Sequence, residues 1–171
     1  GVYTGSADRW PKQLSIKKTI ELINNLHKNF KNARILLFGG SSETERNREI
    51  IAKSKTHVID TGVGTDLVEL PALISLCKLF ITCDTLALHL SLALRRKTIC
   101  LIGPTSPTEL DMYNLGEKII ADSKCICCYK KDCKSMDKIS AEKIINQSKE
   151  LLEQKATILI TAFKEPNVWK A

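Results

Sequence analysis

Short apolar runs alternate with helically spaced apolar positions along nearly the whole chain. Arg34-Ile-Leu-Leu-Phe-Gly-Gly40 closes on two glycines, as a buried parallel strand does on entering a loop. Similar runs are His57-Val-Ile-Asp60, Leu79-Phe-Ile-Thr-Cys83 and Thr98-Ile-Cys-Leu-Ile-Gly-Pro104, with a weaker one at Lys118-Ile-Ile-Ala121. The opening Gly1-Val2-Tyr3-Thr4-Gly5 reads as a strand running into a glycine turn. Between these runs the spacing predicts helices over Ser15 to Asn29, Glu43 to Lys53, Asp66 to Cys77 and Leu86 to Leu94, and a last one from Ser140 to about Phe163. Ile16, Ile20, Ile23 and Leu26 line one helical stripe. Strand and helix in alternation imply right-handed crossovers and a parallel sheet covered by helices on both faces. The predicted class is α/β and Rossmann-like.

In such sheets ligands sit beyond the carboxyl ends of the strands, so the informative residues are those just after each run. They are Thr4-Gly5-Ser6, Gly39-Gly40-Ser41-Ser42-Glu43, Gly62-Val63-Gly64-Thr65, Asp84-Thr85 and Gly103-Pro104-Thr105-Ser106-Pro107-Thr108. Glycines let a backbone approach a ligand closely, and hydroxyls with free amides at helix starts bind phosphate oxygens. The same residue types cap helices and build turns in every fold. Their joint placement on one sheet edge points to a phosphate-containing ligand. No GxGxxG follows the first strand and no GxxxxGK[ST] occurs, against an ordinary NAD site and a P-loop.

At 171 residues the chain suits one globular domain. No stretch approaches the roughly 18 uninterrupted apolar residues of a membrane span. The formal net charge of +7 favours anionic partners, or reflects a lysine-rich solvated surface. Aromatics make up only 5% and the basic residues are scattered, against a nucleic-acid platform. A chain opening directly on a strand reads as cut from something longer.

Of the seven cysteines, Cys77, Cys83 and Cys100 lie inside apolar segments and are expected as buried thiols. Cys125, Cys127, Cys128 and Cys133 crowd within nine residues. Four sulfurs at short spacing match a structural zinc site, with reduced thiols or a local disulfide as the alternatives.

The segment Asp84-Thr-Leu-Ala-Leu-His89, then Leu92-Ala-Leu94 and Cys100-Leu-Ile-Gly-Pro-Thr-Ser-Pro107, resembles glycosyltransferase family nine, which contains the ADP-heptose:lipopolysaccharide heptosyltransferases. That family carries an Asp-Thr-Gly-x-x-His motif, a small-residue helix, and a strand ending in Phe/Tyr-Gly-Pro-Thr. Tyr3-Thr-Gly-Ser with Arg9-Trp10-Pro11, Leu37-Phe-Gly-Gly-Ser-Ser-Glu43 and the cysteine cluster continue the resemblance in the same order. In place of the family's Cys-x-Pro-Cys this chain has Cys127 at the proline, and Ser135-Met136 where a further Cys-Met is common.

The resemblance implies a GT-B architecture, two Rossmann-like domains facing a cleft. Residues 1–171 then form the C-terminal, donor-binding half. The N-terminal domain, which holds the acceptor and the general base, is expected to be absent from this chain, leaving no catalytic residue here. It further implies that Asp84 contacts the donor. Since a carboxylate repels phosphate, a sugar hydroxyl or a helix cap suits it better. Thr85 and the amide after it would meet the diphosphate at a helix start. Leu86 stands where the family has glycine, keeping the amide but adding bulk. His89 matches the motif histidine that points back to the donor, and a histidine in an apolar helix is otherwise a core residue. Glu43 matches a glutamate contacting the nucleoside, or else complements a helix dipole. Thr65 falls where the base pocket is lined, and Thr4 and Ser6 near the phosphates. The family's lysine before the Trp-Pro pair is Asp8 here, and Arg9 is expected to supply the positive charge.

The function so implied is heptosyl transfer from ADP-heptose to a lipopolysaccharide core acceptor, with no cofactor required. The isolated domain would be inactive, and cytoplasmic or peripheral to the inner membrane. The alternatives are a GT-B domain using another nucleotide sugar, or a non-catalytic nucleotide-binding module.

Overall fold

The computed structural model describes residues 1–5, 11–63 and 68–153. The elements run β1 (Val2–Tyr3), α1 (Ile16–Asn29), β2 (Ile35–Gly39), α2 (Thr44–Lys53), β3 (Val58–Val63), α3 (Glu69–Ser75), β4 (Leu79–Cys83), α4 (Leu86–Ala93), β5 (Lys97–Ile102), β6 (Gly116–Ile120) and α5 (Ala141–Glu153). The strands form one sheet in the order β3-β2-β1-β4-β5-β6, and every pairing is parallel. This is the doubly wound arrangement that the strand–helix alternation predicts. The expected last helix begins as predicted, and its continuation past residue 153 lies outside the described residues.

Strand alternation divides the core. Leu37, Ile81, Ile99 and Leu101 face α1, α2 and α5, packing with Leu22, Ile23, Ile50, Ile144 and Ile145. Their neighbours Phe38 and Phe80 point the other way, against Ile74 of α3 and Ala87 of α4. Cys100 and Ile102 pack with Leu88 and Leu92 on that same side. The rings of Phe38 and Phe80 meet edge to face, with centroids 5.2 Å apart. Cys77, Cys83 and Cys100 are buried, as their apolar settings predict.

Local chemistry sets the element ends. Ser15 caps α1 by accepting the Lys18 amide at 3.4 Å, and Lys28 stands in its last turn, where a cation complements the dipole. The helix expected from Glu43 is divided: Ser41–Glu43 make a 3₁₀ turn and α2 begins at Thr44. β3 runs three residues beyond the expected Asp60. Thr61 donates to the Leu37 carbonyl at 3.1 Å and Asp60 accepts the Gly62 amide at 2.9 Å, contacts that hydropathy does not encode. α3 is shorter than expected, with Pro71 in its first turn, where a missing N–H costs nothing.

Candidate nucleotide-sugar site

The strand order reverses between β1 and β4, so their carboxyl ends open a crevice at the topological switch point. β1 delivers Thr4 and Gly5 there, and β4 delivers Asp84 and Thr85. Lys12, on the connection from β1 to α1, crosses the switch and donates to Asp84 Oδ2 at 3.0 Å. Both side chains remain about one-fifth exposed, so the pair sits at the mouth of the crevice.

Thr85 precedes α4 in extended conformation, and its hydroxyl lies 3.3 Å from that of Thr82, leaving the helix start without a side-chain cap among the described residues. The Leu88 amide reaches the Thr85 carbonyl at 3.1 Å. The amides of Leu86 and Ala87 are too near the helix start to find an intrahelical acceptor. They are donors at the positive end of a helix dipole, next to a lysine. α4 buries Ala87, Leu88, Ser91 and Leu92 and leaves Leu86 55% exposed. His89, one turn on, is exposed as well and is not the core residue its apolar helix could have made it.

On the β2 side, Glu43 is 3% exposed and accepts the Gly40 amide at 2.7 Å. Its carboxyl group lies against Gly5, where an added Cβ would fall 2.7 Å from it, so any side chain there requires Glu43 to shift. Burial, and then the Glu43 charge, push the Tyr3 phenol up to about 12. Thr4 is fully buried. Its hydroxyl is 2.9 Å from that of Thr19 and accepts Arg46 Nη2 at 2.9 Å, so it braces the loop after β1 instead of offering a free hydroxyl to phosphate. Arg46 Nη2 also donates to the Leu14 carbonyl at 2.6 Å and to Thr19 at 3.0 Å. Its Nε and Nη1 are buried without a partner among the described residues.

Beyond β5, the Thr105 hydroxyl is likewise buried and without a partner among the described residues. Ser6, Arg9 and Thr65 lie outside the described residues. Of the predicted set, the structure gathers Asp84, Thr85, Leu86 and His89 at the start of α4, with Glu43 across the switch. Sequence reasoning overlooked Lys12 and Arg46. Lys12 was legible as the cation on the far side of the Trp-Pro pair, and Arg46 as the residue one turn from Glu43.

A cavity of about 620 Å³, lined by residues that include Glu109, Asp111, Glu117 and Lys118, shares none of these residues. Three carboxylates against one lysine suit an anion poorly. The cysteine cluster follows β6, the edge strand of the sheet. The sulfurs of Cys125, Cys128 and Cys133 fall within 4.8 Å of one another, whereas Cys127 is exposed and outside the group. The four-thiol set expected from spacing is therefore a set of three.

Comparison with known proteins matches this layout. The model of glycosyltransferase family 9 (heptosyltransferase) covers residues 5–139. Lipooligosaccharide heptosyltransferase 2 of Campylobacter jejuni serotype O:2 is 32% identical over 165 residues, 90% of this chain and 49% of that protein. Lipopolysaccharide heptosyltransferase 2 of Salmonella typhimurium is 30% identical over 111 residues, 63% of this chain and 30% of that protein. The chain thus spans about half the length of the first of these relatives. Among solved structures, E. coli ADP-heptose lps heptosyltransferase II superposes with a TM-score of 0.76 at 23% identity, covering 89% of this chain and 45% of that one. E. coli heptosyltransferase WaaC with ADP gives 0.72 at 22% identity, covering 88% and 43%. Fold, motif order and sequence similarity agree, and the chain belongs to glycosyltransferase family 9, the heptosyltransferase family.

Proposed function

We propose that this chain is the donor-binding half of a heptosyltransferase. It holds ADP-heptose for transfer to a lipopolysaccharide core sugar and works with an N-terminal, acceptor-holding domain. The observation that carries this reading is the Lys12–Asp84 pair, set across the switch point beside the open amides of Leu86 and Ala87. A cation and helix-start amides together make a diphosphate site. That a structure similar in fold was solved with ADP supports adenosine as the nucleoside.

In this reading the donor diphosphate draws Lys12 away from Asp84 and lies on the α4 amides and the Thr85 hydroxyl. Asp84, freed of its partner, accepts from a sugar hydroxyl. His89, exposed one turn on, donates to phosphate or sugar. Glu43 and Thr65 flank the nucleoside, with Ser6 and Arg9 near the phosphates. Transfer breaks the bond from the anomeric carbon to the phosphate oxygen, and the electron pair leaves with ADP. An acceptor hydroxyl attacks from the opposite face, and its proton goes to a base on the other domain. Lys12 and the amides stabilise the charge that develops on the leaving diphosphate. No described helix is long and apolar enough to cross a membrane, and the +7 charge favours work at the anionic cytoplasmic face of the inner membrane.

Leu86 favours a second reading, a different nucleotide sugar, because it puts an exposed side chain at the turn where a diphosphate would lie. Calorimetric titration with ADP, UDP and ADP-heptose separates the two. The first reading expects ADP to outcompete UDP. Equal or reversed preference selects the second, and no nucleotide binding at all defeats both.

A further inference from the structure

Residues 122–134 follow β6 and carry the three converging thiols. Cys125 and Cys128 are half-buried and Cys133 is buried. Cys133 Sγ is 3.5 Å from Cys125 Sγ, and all three sulfurs lie within 4.8 Å of one another. Zinc–thiolate bonds of about 2.3 Å put tetrahedral ligand sulfurs roughly 3.8 Å apart, so small side-chain adjustments bring the triangle to the size a zinc ion requires. The backbone is bent to make it. Cys127 has φ 57° and Tyr129 φ 50°, left-handed values that non-glycine residues adopt at a cost. These two residues flank Cys128 and reverse the chain around it, while the Cys127 side chain is left in solvent.

The loop has a mechanical connection to the sheet edge. The Tyr129 amide donates to the Pro104 carbonyl at 3.1 Å, and the Tyr129 hydroxyl accepts the Ser106 amide at 3.2 Å and donates to Glu109 at 3.1 Å. Past Cys133, the Ser135 hydroxyl and the Met136 sulfur lie so close to Gly103 that an added Cβ would fall 2.6 Å from either. The cysteine loop therefore contacts the segment after β5 from two sides.

We propose that Cys125, Cys128 and Cys133 bind one zinc ion through their thiolates. The fourth coordination position opens to solvent, and the ion fixes the loop that clamps residues 103–109. Binding replaces the thiol protons, which are released to solvent as the Zn–S bonds form. The proposal is independent of the donor reading.

The test uses the full chain, purified under reducing conditions without chelator. Metal analysis is expected to return about one zinc per chain. Cys125→Ser, Cys128→Ser and Cys133→Ser should each drop to background, and Cys127→Ser should hold its metal. Because a ligand variant can fail by unfolding, cobalt is exchanged into the unaltered chain, and a thiolate-to-cobalt charge-transfer band is expected. Background zinc with no cobalt band, or Cys125 and Cys133 recovered as a disulfide under reducing conditions, overturns the proposal. Loss of metal in Cys127→Ser to the same extent as in the others overturns the three-ligand assignment. Zinc retained by a chain that binds no ADP supports this site while overturning the donor reading.

Discussion

Lys12 donates to Asp84 at 3.0 Å across 72 positions of sequence, joining the loop after β1 to the loop after β4 at the one place where the strand order reverses. The pair concentrates opposite charges at the mouth of the crevice; in the proposed function a phosphate competes for the lysine and a sugar hydroxyl for the carboxylate.

Lys12→Ala should weaken ADP binding by ~1–3 kcal/mol, the worth of a charge-assisted hydrogen bond, and steepen no salt dependence. Asp84→Ala should leave ADP affinity equal or higher, since it frees the lysine, but weaken ADP-heptose. Calorimetry with both ligands checks this. Weakened ADP binding in Asp84→Ala with unaltered binding in Lys12→Ala would reverse the roles.

His89→Ala should lower ADP-heptose affinity by a similar ~1–3 kcal/mol without shifting the melting temperature, because the side chain is exposed and supports no core contact. A drop in thermal stability with unchanged donor affinity would give His89 a structural role.

Gly5→Ala should destabilise the fold and weaken nucleotide binding together. The new methyl would fall 2.7 Å from the Glu43 carboxyl group, which cannot retreat without losing the Gly40 amide. Chemical denaturation reads the first effect. Wild-type stability would show that Glu43 moves freely.

Alkaline pH should destabilise the chain. Burial pushes the Cys83 thiol up to about 12, well above an unfolded thiol near ~9. Below the unfolded value both states keep the proton and the stability is fully present. As pH rises towards the folded value only the unfolded state loses its proton, so stability falls. The urea midpoint should drop between about pH 9 and 12, and Cys83→Ala should flatten that drop. An equal slope in both proteins would assign it to other groups.

Alone, the chain should bind ADP and transfer no sugar. Positioning of the acceptor can contribute ~7–11 kcal/mol to lowering the barrier, which a half-site open to solvent cannot recover. Turnover with ADP-heptose and a lipopolysaccharide acceptor by this chain alone would show a complete enzyme.

The α/β class and nearly all the elements were legible in the sequence, because buried parallel strands are apolar runs and covering helices are stripes, both local patterns. The positions of Asp84 and Thr85 were legible too, since they follow directly on the apolar run that becomes β4. What hydropathy could not encode were contacts between distant loops. Only the strand order β3-β2-β1-β4-β5-β6 sets β1 beside β4, and so puts Lys12 on Asp84. Only packing turned the Thr4 hydroxyl inward to Thr19 and Arg46, and turned His89 out of its apolar helix into solvent. The four cysteines stood together in sequence, but the left-handed turns at Cys127 and Tyr129 decided which three converge. Composition places residues on an edge. Which of them meet depends on the path of the backbone, because side-chain contacts reach only a few ångströms.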